Sequence, residues 1–115
     1  MDIEHYRNFC LSLAGVSEGF PFDSQTLVFK VGGKMFSIFD VITFDGISLK
    51  CAPEKAIALR EQFREVIPGY HLNKNHWNTV NCNGSISDKL LIDWTLDSYN
   101  LVLNSLPKRI KNTLI

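Results

Sequence analysis

The chain has 115 residues, with 12 Lys and Arg against 12 Asp and Glu, 45% apolar side chains and 11% aromatics. That length fits one domain, the composition excludes a disordered chain, and zero net charge argues against a strongly basic nucleic-acid binder. No charge-free stretch approaches the ~20 apolar residues of a membrane span, and Met1-Asp2-Ile3-Glu4 lacks the basic start of a signal peptide. Three widely spaced cysteines, Cys10, Cys51 and Cys82, speak for free thiols and a cytoplasmic location rather than a disulfide framework.

Ile3, Tyr6, Cys10 and Leu13 recur at helical spacing, and Gly15 is placed to end that helix. Residues 16–25 carry Gly, Pro and Ser and read as a structured loop holding two buried aromatics, Phe20 and Phe22. Thr26 to Val31 and Lys34 to Phe39 are β-rich runs separated only by Gly32-Gly33, the spacer of a two-residue hairpin. An unbroken register pairs Val31 with Lys34, Phe29 with Phe36 and Leu27 with Ile38. It predicts a core face of Leu27, Phe29, Val31, Phe36 and Ile38, and a mixed face of Val28, Lys30, Met35, Ser37 and Phe39.

Asp45-Gly46 opens a third strand, with Ile47, Leu49 and Cys51 inward and Ser48 and Lys50 outward. Pro53 starts a helix running to about Phe63. A fourth strand leads to Leu72, Asn73-Lys74-Asn75 forms a turn, and His76 to Cys82 makes a fifth strand. Ser85 or Ser87 caps the last long helix, whose predicted face is Ile92, Leu96, Tyr99, Leu103 and Leu106. Pro107 stops or kinks it before the basic tail Lys108-Arg109-Ile110-Lys111. The order is α-β-β-β-α-β-β-α. It predicts an α+β two-layer sandwich with five mainly antiparallel strands and helices on one face, with Leu27, Phe29, Phe36, Ile38, Leu49 and Leu103 in the core.

The phrases Leu27-Val-Phe-Lys-Val-Gly-Gly-Lys-Met-Phe36, Leu49-Lys-Cys51, Pro68-Gly-Tyr-His-Leu-Asn-Lys-Asn-His-Trp-Asn-Thr-Val80 and Ser98-Tyr-Asn-Leu-Val102 with Ser105-Leu-Pro-Lys108 resemble the MmcQ/YjbR family. Gly15-Val-Ser-Glu18 and Phe20-Pro-Phe22 extend the match over nearly the whole chain, as a single domain spanning residues 1–115. The resemblance implies a two-layer α+β fold similar to that of secretion chaperones. It also implies DNA binding through two wing-like hairpins, and it brings no catalytic residues.

Read for chemistry, His71 and His76 with His5 and Cys82 lack the close ligand pairs of zinc motifs, so neither metal nor cofactor is expected. Cys51 or Cys82 with His71 or His76 is conceivable as a nucleophile pair. No nucleophile elbow, phosphate loop or paired carboxylates accompany it, and the expectation is a protein that is not an enzyme. Following chain direction gathers Lys34, Lys50, Lys55, Lys74, Lys108, Arg109 and Lys111 at one end, and Asp40, Asp45, Glu61, Glu65 and Asp88 at the other.

Three readings follow. The first is weak, mostly sequence-independent DNA binding at the two hairpin tips. Lys34, Lys74, Lys108, Arg109 and Lys111 would contact phosphates, Asn73, Asn75 and His76 would offer hydrogen bonds, and Trp77 would stack on a base or pack across the second hairpin. The second is a protein-interaction or homodimer surface on the mixed sheet face. The third is a pocket for a small anion around Lys30, Lys50, His71 and Trp77.

Overall fold

The computed structural model describes residues 1–115. Helix α1 (Ile3–Ser12) starts on Asp2, whose carboxylate accepts the His5 N–H at 2.8 Å, and it buries Tyr6 and Cys10. Gly15, at φ 74°, turns the chain into a short edge strand, β1 (Val16–Gly19), which pairs antiparallel with β2 (Thr26–Val31). Sequence alone predicts a loop here, because Ser17, Glu18 and Gly19 show no apolar alternation. Its neighbour supplies the ladder, and Arg7 of α1 grips Glu18 at 2.7 Å. Phe20 and Phe22 lie in the following loop, 49% and 64% exposed rather than buried.

Gly32 and Gly33, at φ 58° and 81°, join β2 to β3 (Lys34–Asp40), as both central residues of a tight hairpin require. Val31 faces Lys34 and Lys30 faces Met35, but a bulge then places Phe29 opposite Ser37. Phe36 is the extra residue. Everything beyond it changes face, so Phe39 joins the helix-side core and Ile38 moves to the outer face with Val28 and Trp77. The unbroken register is corrected accordingly. Leu27, Phe29, Phe36, Leu49 and Leu103 are buried on the helix side, whereas Ile38 is buried on the other.

Strand β4 (Gly46–Lys50) follows β3, and the chain crosses in α2 (Pro53–Gln62) to β5 (Val66–Pro68) and β6 (Trp77–Asn81). Helices α3 (Asp88–Ser105) and α4 (Lys108–Leu114) complete it, the latter being the segment expected as a tail. All pairings are antiparallel, in the order β1-β2-β3-β4-β6-β5. The fold is the expected α+β sandwich with one more strand.

Ser87 caps α3, accepting the Leu90 N–H at 3.1 Å. The buried face of α3 is Leu91, Trp94, Thr95, Ser98, Tyr99, Val102 and Leu103, rotated from the expected stripe so that Leu96 is partly exposed. Two buried hydroxyls explain the rotation. Ser98 donates to the Phe36 carbonyl at 2.6 Å and accepts the Lys50 N–H at 2.8 Å, which stitches the helix to β3 and β4. Thr95 meets the Tyr6 hydroxyl at 2.9 Å, and Tyr6 also meets Ser37 at 2.8 Å. Polar residues thus occupy core positions because each finds a partner there.

Candidate functional site

The β2–β3 tip and the end of α3 are locked together. Leu106 packs so closely on Gly32 that a Cβ there would lie 2.5 Å from the leucine Cδ1. This contact brings Lys108 and Arg109, exposed at the start of α4, to the same end of the molecule as exposed Lys34. Lys50 ends β4 in the same direction. At the opposite end the Met1 ammonium lies 3.2 Å from Asp88, so α1 and α3 both begin there, near Asp2 and Asp88. Asp40 closes β3 and Asp45 precedes β4 on that side as well. The backbone N–H of Thr43, helped by that of Ile42, holds the Asp40 carboxyl below its usual range, keeping it anionic. A chain of zero net charge is therefore electrically polar.

The second tip is built differently. After β5 the Tyr70 N–H turns back to donate to the outward hydroxyl of Thr79 at 3.1 Å, and Leu72 packs on the Val28–Ile38–Trp77 cluster. His71 sits at φ 57°, an unusual conformation for a residue with a Cβ. The Lys74 ammonium donates to the Gly69 carbonyl at 2.9 Å, and Arg60 donates to the Lys74 carbonyl at 3.1 Å. Asn73 accepts the Asn75 N–H at 2.9 Å, and the His76 carbonyl accepts the Cys51 N–H at 2.8 Å. The segment is a flap on the outer sheet face rather than a projecting wing.

Of the residues expected to meet DNA, Lys34, Lys108 and Arg109 share one end with exposed side chains. Lys74 is engaged in the flap, and Lys111 donates to Asn104 at 2.7 Å. Trp77 is 7% exposed and packs against Val28 and Ile38, while Tyr70 lies beside His71 instead. Lys30, Lys50, His71 and Trp77 do not form one pocket. Lys30 is half-buried opposite Ser17 and Met35, Lys50 is paired with Trp77 and projects from the outer face of the sheet as expected, and His71 lines a groove on that face which neither lysine lines.

That groove, about 800 Å³, was not legible in the sequence. Phe22, Ile67 and Tyr70, at 64%, 51% and 70% exposure, rim it, and Asp40, Asp45 and Glu65 give it an acidic side. The thiols are not activated. Burial pushes Cys10 up to about 12 and raises Cys51 and Cys82 as well, and the Cys82 Sγ donates to the Phe44 carbonyl at 3.1 Å.

Residues 11–101 match the YjbR family model. The chain belongs to the YjbR family. It is 37% identical to the uncharacterised protein YbdF of Escherichia coli O157:H7, over 92% of this chain and 88% of that one. It is 32% identical to the uncharacterised protein YjbR of Escherichia coli K12, over 100% and 98% of the two chains. The crystal structure of Deinococcus radiodurans DR2400, which carries domain DUF419, superposes with a TM-score of 0.92 at 37% identity, covering 98% of this chain and 87% of that one. A Pseudomonas syringae protein shares the fold at a TM-score of 0.75 and 24% identity, with 89% and 99% covered. The YjbR fold thus accounts for the whole sheet and its helical layer.

Proposed function

We propose that this YjbR-family chain is a binding protein rather than an enzyme, and that its basic end holds the phosphate backbone of DNA weakly and without sequence preference. The observation that carries the reading is the seat of Leu106 on Gly32, which sets Lys108 and Arg109 at the end occupied by Lys34 and away from the acidic end. Phosphate contacts of this kind position a protein without reading bases. With Lys74 engaged internally, about three phosphates can be met at once. Counterion release then predicts a log–log salt slope of about −3, with Kd in the range of roughly 10⁻⁴ to 10⁻⁶ M.

Titrating the protein with duplex DNA at two salt concentrations tests this. Lys34→Glu combined with Arg109→Glu should weaken binding to every sequence by about tenfold or more. Lys74→Glu should weaken it far less. Equal binding by wild type and the double variant, or no binding by wild type at about 50 mM salt, overturns the reading. The outer groove favours a second reading, a protein-interaction face, because three exposed aromatic and aliphatic residues, Phe22, Ile67 and Tyr70, rim it. A molecular size that rises with concentration, unchanged by salt, supports that alternative.

A further inference from the structure

A separate cleft of about 340 Å³ lies between α2 and α3, within the range of small-molecule sites. Its floor is Leu49, Asn78 and Val80 of the sheet, and its walls include Leu59 of α2 with Trp94 and Leu101 of α3. The floor holds an anomaly. Asn78 is 2% exposed, and its Oδ1 has no hydrogen-bond partner. The amide orientation is settled by the other half of the group, since Nδ2 donates to the Ala56 carbonyl at 3.2 Å and a flip would set two oxygens face to face. An orphaned acceptor among apolar walls is poorly served by water, which needs several polar partners of its own.

The rim carries the pair Lys55–Asp97, which spans α2 to α3 at 2.7 Å and leaves the mouth electrically balanced, since the Lys50 side chain projects from the other sheet face beside its partner Trp77. Helix α2 walls the cleft and fully buries only Ala56. We infer that this cleft is a binding site for a compact, mainly apolar molecule that carries an N–H or O–H donor at its buried end. The donor satisfies Asn78 Oδ1, the apolar body lies along Leu49, Leu59 and Trp94, and the outer end stays at the solvent-facing mouth beside Lys55 and Asp97. This site is independent of the nucleic-acid reading, being on the helix side of the sheet.

Indole-3-acetate, and its sulfur isostere 1-benzothiophene-3-acetate that lacks the donor, are suitable probes for ¹H–¹⁵N NMR titration. Trp94 lines the cleft and Trp77 lies on the opposite sheet face, so their two indole N–H signals give a reporter and a reference. Indole-3-acetate should shift Trp94 and the Asn78 side-chain amide saturably with Kd of about 1 mM or tighter, leaving Trp77 unmoved. The isostere should bind roughly tenfold or more weakly, the loss expected for an unmade buried hydrogen bond. Leu101→Trp, at a cleft position that is 39% exposed, should block the site in a folded protein. No saturable shift with either probe, equal affinity for the two, equal movement of Trp77, or unaltered binding by folded Leu101→Trp overturns the inference.

Discussion

Helices α2 and α3 cover the same sheet face, yet they are held there by different means. Helix α3 buries seven side chains, is capped by Ser87, and ties its hydroxyls into β3 and β4. Helix α2 fully buries Ala56 alone, and its cap position, Ala52, offers no side-chain acceptor. Leu59 and Phe63 pack only partly against the core, the latter edge-on to Trp94 at 5.1 Å. One helix is a structural wall and the other is a light cover, and the cleft opens at their junction. The difference matters because the segments that move in binding are drawn from the less stable parts of a fold.

The comparison breaks most readily in the core. Leu103→Ala should cost about 2–4 kcal/mol, because the side chain is buried and its neighbours cannot fully close the cavity. Leu59→Ala should cost about 1 kcal/mol, since that side chain is only half-buried. Urea denaturation followed by circular dichroism measures both. Equal losses would show that α2 is as firmly packed as α3.

Caps offer a gentler test that acts in both directions. Ser87→Ala should destabilise the protein by about 1 kcal/mol, whereas Ala52→Ser should stabilise it by about 0.5–1 kcal/mol by supplying the acceptor that α2 lacks. The same denaturation curves report the outcome, and a neutral Ala52→Ser would mean that the first turn of α2 is already satisfied by other groups. The smallest effect belongs to the Lys55–Asp97 pair. Both side chains are about half exposed, at 50% and 53%, so Asp97→Asn should change stability by no more than about 0.5 kcal/mol. A larger loss would make that pair a principal attachment of α2, contrary to its role as a surface latch.

How far each region could be read from residues alone follows the range of the interactions that shape it. The Gly32-Gly33 hairpin was legible because its turn needs two positive φ angles and glycine adopts them freely. Helices α1, α2 and α3 were legible from apolar spacing, and the order of the principal elements followed. The basic and acidic ends also followed from chain direction, as alternating antiparallel elements must return their termini to the same two levels.

What remained belongs to contacts between distant segments. The Phe36 bulge exchanged Ile38 for Phe39 in the helix-side core, where Phe39 meets Tyr6 at a ring separation of 5.6 Å. Strand β1 has no apolar pattern of its own and exists through its ladder with β2. The flap gave the Lys74 ammonium a carbonyl partner, while Leu106 brought α4 onto the hairpin tip. Asn78 reads in sequence as an ordinary strand residue, and only the tertiary structure shows its nitrogen bonded to α2 and its oxygen without a partner. Local sequence determined turns, caps and periodicity because those depend on backbone preferences within a few residues. Tertiary packing decided register, face and exposed charge, because each depends on which distant side chain occupies the neighbouring space.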